Sequence, residues 1–159
     1  CNPVLQLQAK AFVQQEHLED VWTHRRRAQH RIDGLILARA DRPYQLGSAV
    51  RGEMYKWKEH MTVDLRGRGA VLCTSDGPLA DTLCGRRVCV SNKSEVKPLD
   101  DEDVVEYLVR IDNDSSLELF ALRRRPDKRA PNSLYVVEAS VHEACRPVTL
   151  DALLSVCKK

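Results

Sequence analysis

No stretch of about 18 apolar residues, the length a helix needs to cross a bilayer, occurs in the 159 residues, and the first residues carry no apolar core of the kind a signal peptide requires. The chain therefore reads as one not addressed to a membrane. It also lacks an excess of either charge. Lys and Arg number 25 against 23 Asp and Glu, a net charge of +2, so any claim about nucleotides or nucleic acid must rest on local clusters. None of the six cysteines forms a Cys-x-x-Cys pair, and the closest His/Cys pair is His142 with Cys145, thin material for a zinc site. Reduced, mostly buried thiols in an intracellular protein are the expectation. Hydrophobic types make up 43% and charged types 30%, which excludes a disordered, collagenous or fibrous chain. The length suits one sizeable core or two small units sharing an interface. The chain opens on Cys1 without an initiator Met, which suggests a piece of a larger protein.

Periodicity sets the coarse organisation. Leu5, Leu7 and Ala9 alternate with Gln6, Gln8 and Lys10, the period of a strand with one buried face. From Gln14 to His30, Leu18, Val21 and Trp22 fall on one helical face. Acids come early and Arg25, Arg26 and Arg27 late, as the helix dipole favours. Ile32 to Leu37 reads as a buried strand with a polar entry at Asp33 and Gly34. A loop of turn formers follows. In Met54 to Lys58 the alternation puts Lys56 and Lys58 on one strand face and Tyr55 and Trp57 on the other. Two glycines in Arg66-Gly67-Arg68-Gly69 predict a hinge, and the domain boundary is placed there, between residues 65 and 66.

Strand-like pieces follow at Ala70 to Cys73, Arg87 to Val90, Val104 to Ile111 and Leu117 to Leu122, the last two joined by a hairpin at Asn113, Asp114 and Ser115. Close antiparallel strands predict a small barrel. Two helices are expected after it, one with Leu134, Val137, Val141 and Ala144 on its face, the other with Leu150, Leu153, Leu154 and Cys157 behind an N-cap at Thr149.

Three clusters carry chemistry: Asp33-Gly34, the Lys56/Lys58 pair, and Arg123-Arg124-Arg125-Pro126-Asp127-Lys128. Taken singly they read as a turn residue, an exposed strand edge and a solvated basic run. Together they supply a carboxylate for a divalent cation, a lysine pair for phosphate oxygens and a set for further phosphates, which are the parts of phosphoryl transfer. The strings DGLIL (residues 33–37), YKWK (55–58) followed by TVDL (62–65), and RRRPDKRAPN (123–132) resemble, in order, the fourth, fifth and sixth motifs of the messenger RNA guanylyltransferases. These capping enzymes belong to the covalent nucleotidyltransferase superfamily, which also holds the ATP-dependent ligases. The Trp within the lysine pair, Val63-Asp64, and the Pro-Asn after Arg-x-Asp-Lys favour capping enzymes over ligases.

The resemblance implies an α+β architecture. Residues 1–65 would be the C-terminal part of a nucleotidyltransferase domain, ATP-grasp-like, and residues 66–159 an OB-fold β-barrel with C-terminal helices. It implies GTP as substrate, with Mg2+ or Mn2+. Asp33, beside Gly34, would help bind the metal. Lys56 and Lys58 would contact the α-phosphate, Asp64 would support the site from the domain junction, and Arg125, Asp127 and Lys128 would serve the outer phosphates. Implied partners are the 5′ end of RNA, the N-terminal part of the same domain, and RNA polymerase II or other capping activities. The implied location is the nucleus, or the cytoplasm for a viral protein.

The family's nucleophile lies in a Lys-x-Asp-Gly motif. Here Arg31 stands before Asp33 and Thr74 before Asp76, and an arginine stays protonated and cannot attack phosphorus. This chain alone is therefore expected to be inactive. Two alternatives stand beside the guanylyltransferase reading: a catalytically incomplete OB-fold nucleic-acid-binding or assembly module, and a fragment of an ATP-dependent polynucleotide ligase.

Overall fold

A computed structural model describes residues 12–27, 32–42, 54–68, 70–91, 103–112 and 116–157. The strand expected at Leu5 to Ala9 and the turn at Asn113 to Ser115 lie outside the described residues. Two compact units are present, Cys1–Tyr55 with Val148–Lys159, and Lys56–Pro147. No helix among the described residues is long and apolar enough to cross a membrane.

In the first unit, α1 (Leu18–Thr23) is flanked by single 3-10 turns at Gln15–His17 and His24–Arg27. It buries Leu18 and Trp22, with Glu19 and Asp20 in its first turn. Arg25 lies over the Trp22 ring at 3.9 Å and donates from Nη1 to the Trp22 carbonyl at 2.8 Å. The expected buried strand is β1 (Leu35–Ala38), but its side chains alternate between half-buried and exposed. Among the described residues its one ladder partner is β2 (Met54–Trp57), which straddles the boundary between the two units, and a strand at the edge of a two-stranded sheet keeps one flank open to solvent. In β2, Trp57 is buried whereas Tyr55, expected on the same face, is exposed. The last helix of the chain is α3 (Leu150–Cys157), capped by Thr149 Oγ1, which accepts from the Ala152 N–H at 3.2 Å.

The second unit holds a seven-stranded mixed sheet. Its strands are β3 (Thr62–Arg68), β4 (Val71–Thr74), β5 (Gly77–Pro78), β6 (Thr82–Leu83), β7 (Arg86–Val90), β8 (Val104–Ile111) and β9 (Leu117–Arg124), in the spatial order β5-β4-β3-β8-β9-β7-β6. All neighbours are antiparallel except β7 and β9. The sheet curls into a half-barrel, so the fold is α+β and compatible with an OB-like fold. The hairpin between β6 and β7 turns on Cys84 (φ 52°) and Gly85 (φ 74°), two left-handed residues as a type I′ turn requires.

Alternation builds the core. Val63 and Leu65 of β3, Val105, Tyr107 and Val109 of β8, and Leu117 and Leu119 of β9 pack on Val137 and Val141 of α2 (Leu134–Cys145). Leu65, Val105, Leu117 and Val141 are fully buried, and each leucine contributes about 1.5–3 kcal/mol relative to exposure. Ser133 caps α2, and the Asp76 carboxylate accepts from the Leu134 N–H at 2.6 Å.

The hinge expected at residues 66–69 is not found at its described positions. Arg66, Gly67 and Arg68 are the end of β3 and pair with Cys73, Leu72 and Val71 of β4. The chain returns at once as the next strand, so the glycine sits in a hydrogen-bonded ladder that restrains it. The position 65/66 lies within β3.

Candidate functional site

On the face of β3 and β8 opposite the core, period-two alternation aligns Asp64 with Glu106, which are direct Cα partners in the ladder. Both are buried, at 6% and 8% exposure. Two like charges placed so are unstable alone, and β9 supplies the cations. Its route there depends on one irregularity. Tyr107 pairs with Ala121 and Glu106 with Arg123, so Leu122 is an extra residue on β9. A bulge of this kind reverses which side chains face inward. Leu117, Leu119 and Ala121 share the core face, and strict alternation would carry Arg123 and Arg125 into it. The bulge puts them beside Asp64 and Glu106 instead.

Beyond β9, Arg125-Pro126-Asp127-Lys128 forms a tight turn closed by the Lys128 N–H donating to the Arg125 carbonyl at 2.9 Å, with proline at the position that suits its fixed φ. The turn brings the three motif side chains onto one network. Arg125 Nη1 donates to Asp64 Oδ1 at 3.1 Å and lies 3.9 Å from Glu106 Oε2. Its other edge forms a fork, Nε to Asp127 Oδ1 at 2.9 Å and Nη2 to Asp127 Oδ2 at 2.8 Å. Lys128 Nζ donates to Asp64 Oδ2, and Arg123 Nε to Glu106 Oε2 at 2.6 Å.

Asn132 closes the other side. Its Oδ1 accepts from the Asp64 N–H at 2.7 Å, and its own N–H donates to the Asp64 carbonyl at 2.8 Å. A single residue thus serves both main-chain groups of Asp64. The Asn132 carbonyl accepts in turn from the Ser75 N–H at 2.9 Å.

The electrostatics follow from this packing. For Glu106, burial opposes the charge, but hydrogen bonds from Arg123 and Thr62 and the charges of Arg123 and Arg125 outweigh it and bring the carboxyl below its ordinary value. The fork from Arg125 lowers Asp127 to about 2, and Arg125, bonded to Asp127 and beside Asp64, is held more firmly protonated than an ordinary arginine. With three acids (Asp64, Glu106, Asp127) and three bases (Arg123, Arg125, Lys128), the network is neutral overall.

Four of the eight residues singled out from the sequence are therefore assembled together: Asp64, Arg125, Asp127 and Lys128. Lys56 is exposed at the end of β2, and Lys58 is half-buried before β3. Both belong to the second unit, while Asp33 and Gly34 belong to the first, where Asp33 is exposed two residues ahead of β1. Among the described residues no group of three or more His, Cys, Asp or Glu could hold a metal ion. An exposed carboxylate such as that of Asp33 is of the type that holds Mg2+, which is commonly bound by one or two carboxylates together with substrate phosphates.

No known family model matches the sequence, and no curated protein matches it. Sequence reasoning missed Glu106, Arg123 as its partner, and Asn132 as the clamp on Asp64. Glu106 carried a signal: it is the one acid within Val104 to Ile111, a strand whose first four residues are all buried.

Proposed function

We propose that this chain is the C-terminal portion of an mRNA guanylyltransferase, in which GTP loads a lysine of a preceding segment with GMP, releasing pyrophosphate, and the GMP then passes to the 5′-diphosphate end of RNA. The observation that carries the reading is the convergence of Asp64, from the TVDL string, with Arg125 and Lys128, which lie 61 and 64 residues away in the Arg-x-Asp-Lys string. Asp64, which the resemblance sets in support of the α-phosphate lysines, is bonded to Arg125 and Lys128, which it sets on the outer phosphates.

The chemistry suits them. Arg125 offers a rigid two-donor edge and Lys128 a compact charge, and fixed cations stabilise the charge that builds on phosphate oxygens without having to reorganise. Lys56 and Lys58 would act on the α-phosphate. A divalent ion held with Asp33 would neutralise phosphate charge.

The test is to incubate the full-length protein that contains this segment with Mg2+ or Mn2+ and α-labelled GTP or ATP. Label retained through denaturing electrophoresis from GTP alone supports a guanylyltransferase, and label from ATP alone identifies a ligase. Label from neither points to an OB-like binding or assembly module. The internal neutrality of the cluster favours that second reading, because a satisfied ion network can serve folding alone.

A further inference from the structure

The Arg125 guanidinium is used on two sides that differ in kind. Its Nη1 corner is held from within by the buried carboxylates of Asp64 and Glu106. Its Nε/Nη2 edge points to Asp127, whose side chain is 62% exposed although that of Arg125 is only 17% exposed. The inner contacts fix the plane of the guanidinium, and the outer contact occupies its two-donor edge with two oxygens of one carboxylate. Two oxygens of a phosphate group present nearly the same spacing, and Arg-carboxylate and Arg-phosphate forks are interchangeable in geometry.

From this we infer that Asp127 is a built-in competitor: its carboxylate occupies the edge of Arg125 that receives a phosphate group, and a polyphosphate must displace it to bind. The inference rests on the phosphate role proposed above for Arg125 and deepens it by assigning Asp127 the opposite role to its neighbours. Charge supports the assignment. The resting cluster balances three acids against three bases and so exerts little net attraction on an anion. Releasing Asp127 to solvent leaves Arg125 and Lys128 with a local excess of one positive charge. Its position makes Asp127 the one acid able to leave, because Asp64 and Glu106 are buried and Asp64 is clamped by Asn132. Displacement breaks only hydrogen bonds, so the turn at Pro126 need not unfold.

The probe is inorganic triphosphate, titrated calorimetrically into this chain at low ionic strength. It needs neither a nucleophile nor a guanine. Three proteins are compared: wild type, Asp127→Asn and Arg125→Lys. The expected result is that Asp127→Asn binds about tenfold more tightly than wild type, equivalent to about 1.4 kcal/mol. Arg125→Lys, which keeps the charge but loses the two-donor edge, should bind at least tenfold more weakly. Thermal melts verify that each variant is folded. If Asp127→Asn binds equally or more weakly, Asp127 orients Arg125 and the inference is overturned, whatever the labelling experiment gives. Triphosphate that fails to bind any of the three also overturns it. Conversely, tighter binding by Asp127→Asn in a protein whose parent takes no label from GTP keeps the anion site and removes the guanylyltransferase reading.

Discussion

Asp64 on β3 and Glu106 on β8 face each other across an antiparallel ladder, and Arg125 Nη1 reaches both, at 3.1 and 3.9 Å. The arrangement makes Arg125 a structural cation before it is anything else. Arg125→Met keeps most of the side-chain volume but leaves two buried carboxylates facing one another with less compensation. It should cost about 3 kcal/mol of stability, the scale for breaking a buried ion pair from one side. Replacing Asp64 by Asn in the same protein should recover part of the loss. Chemical denaturation of the two single variants and the double variant measures the coupling. Additive losses would show that Arg125 and Asp64 do not support each other.

The Leu122 bulge invites a harsher test. Deleting Leu122 restores strict alternation, so either Arg123 and Arg125 enter the core or Leu117 and Leu119 leave it. Both outcomes bury unpaired charge or expose core leucines. The deletion should abolish the cooperative melt followed by circular dichroism, whereas Leu122→Ala, which keeps the extra residue, should retain it. A deletion variant melting within a few degrees of wild type would mean that the register is set elsewhere.

Much of the framework could be read from periodicity. The strand over residues 104–111 and the helix cap at Thr149 follow from local rules, because alternation and capping depend on a few neighbouring residues. What stayed hidden depends on pairing. Gly67 reads as a hinge until β4 is seen to pair beside it, and Ile36 reads as core although it is exposed on β1, which has one ladder partner among the described residues. In the sequence Arg123 and Arg125 share a parity with Leu117 and Leu119, and only the ladder reveals that a bulge reverses it. The motif strings did mark Asp64, Arg125, Asp127 and Lys128, but Glu106 and Asn132 act through contacts with residues 17 or more positions away, which no local pattern encodes.

Glu106 predicts a response to pH. Its carboxyl lies below the ordinary glutamate value because the hydrogen bonds from Arg123 and Thr62 and nearby positive charge prevail over burial. A depressed value in the folded state means that its stabilisation is present above the unfolded value of about 4.3 and is lost as pH falls through the lower folded value. Wild type should therefore lose stability as pH falls from the ordinary glutamate value through the lower folded value, and Glu106→Gln should lose less over the same fall. Melting temperatures across that range decide the matter. Parallel curves for the two proteins would exclude Glu106 as a contributor.

Trp57 and Lys56 are adjacent but should behave oppositely. Trp57 is 8% exposed, so Trp57→Ala should cost about 3–5 kcal/mol through lost packing. Lys56 is exposed, so Lys56→Ala should stay within about 0.5 kcal/mol of wild type. In the full-length protein the proposed α-phosphate role adds a second signature. Lys56→Ala should lose GMP labelling while melting normally. A large stability loss at Lys56, or intact labelling without it, would remove that residue from the site.

Lys128 separates the two half-reactions of the proposed transfer. Its ammonium is bonded to Asp64 and is one-third exposed, so it can exchange a carboxylate oxygen for a phosphate oxygen at the cost of an ion pair only partly in water. A contact with the outer phosphates of GTP exists only while pyrophosphate is still attached. It therefore stabilises the transition state of loading and is absent when GMP passes to RNA. A charge-assisted hydrogen bond contributes about 1.5–3 kcal/mol, so Lys128→Ala should slow loading by about one to two powers of ten. Transfer from an enzyme already carrying GMP should fall much less. The measurement preloads wild-type and Lys128→Ala full-length protein, removes GTP, and follows release of GMP to diphosphate-ended RNA beside the rate of loading. Equal losses in both steps would place Lys128 on RNA or on the folding of the Asp64 cluster, and would take it away from the departing pyrophosphate.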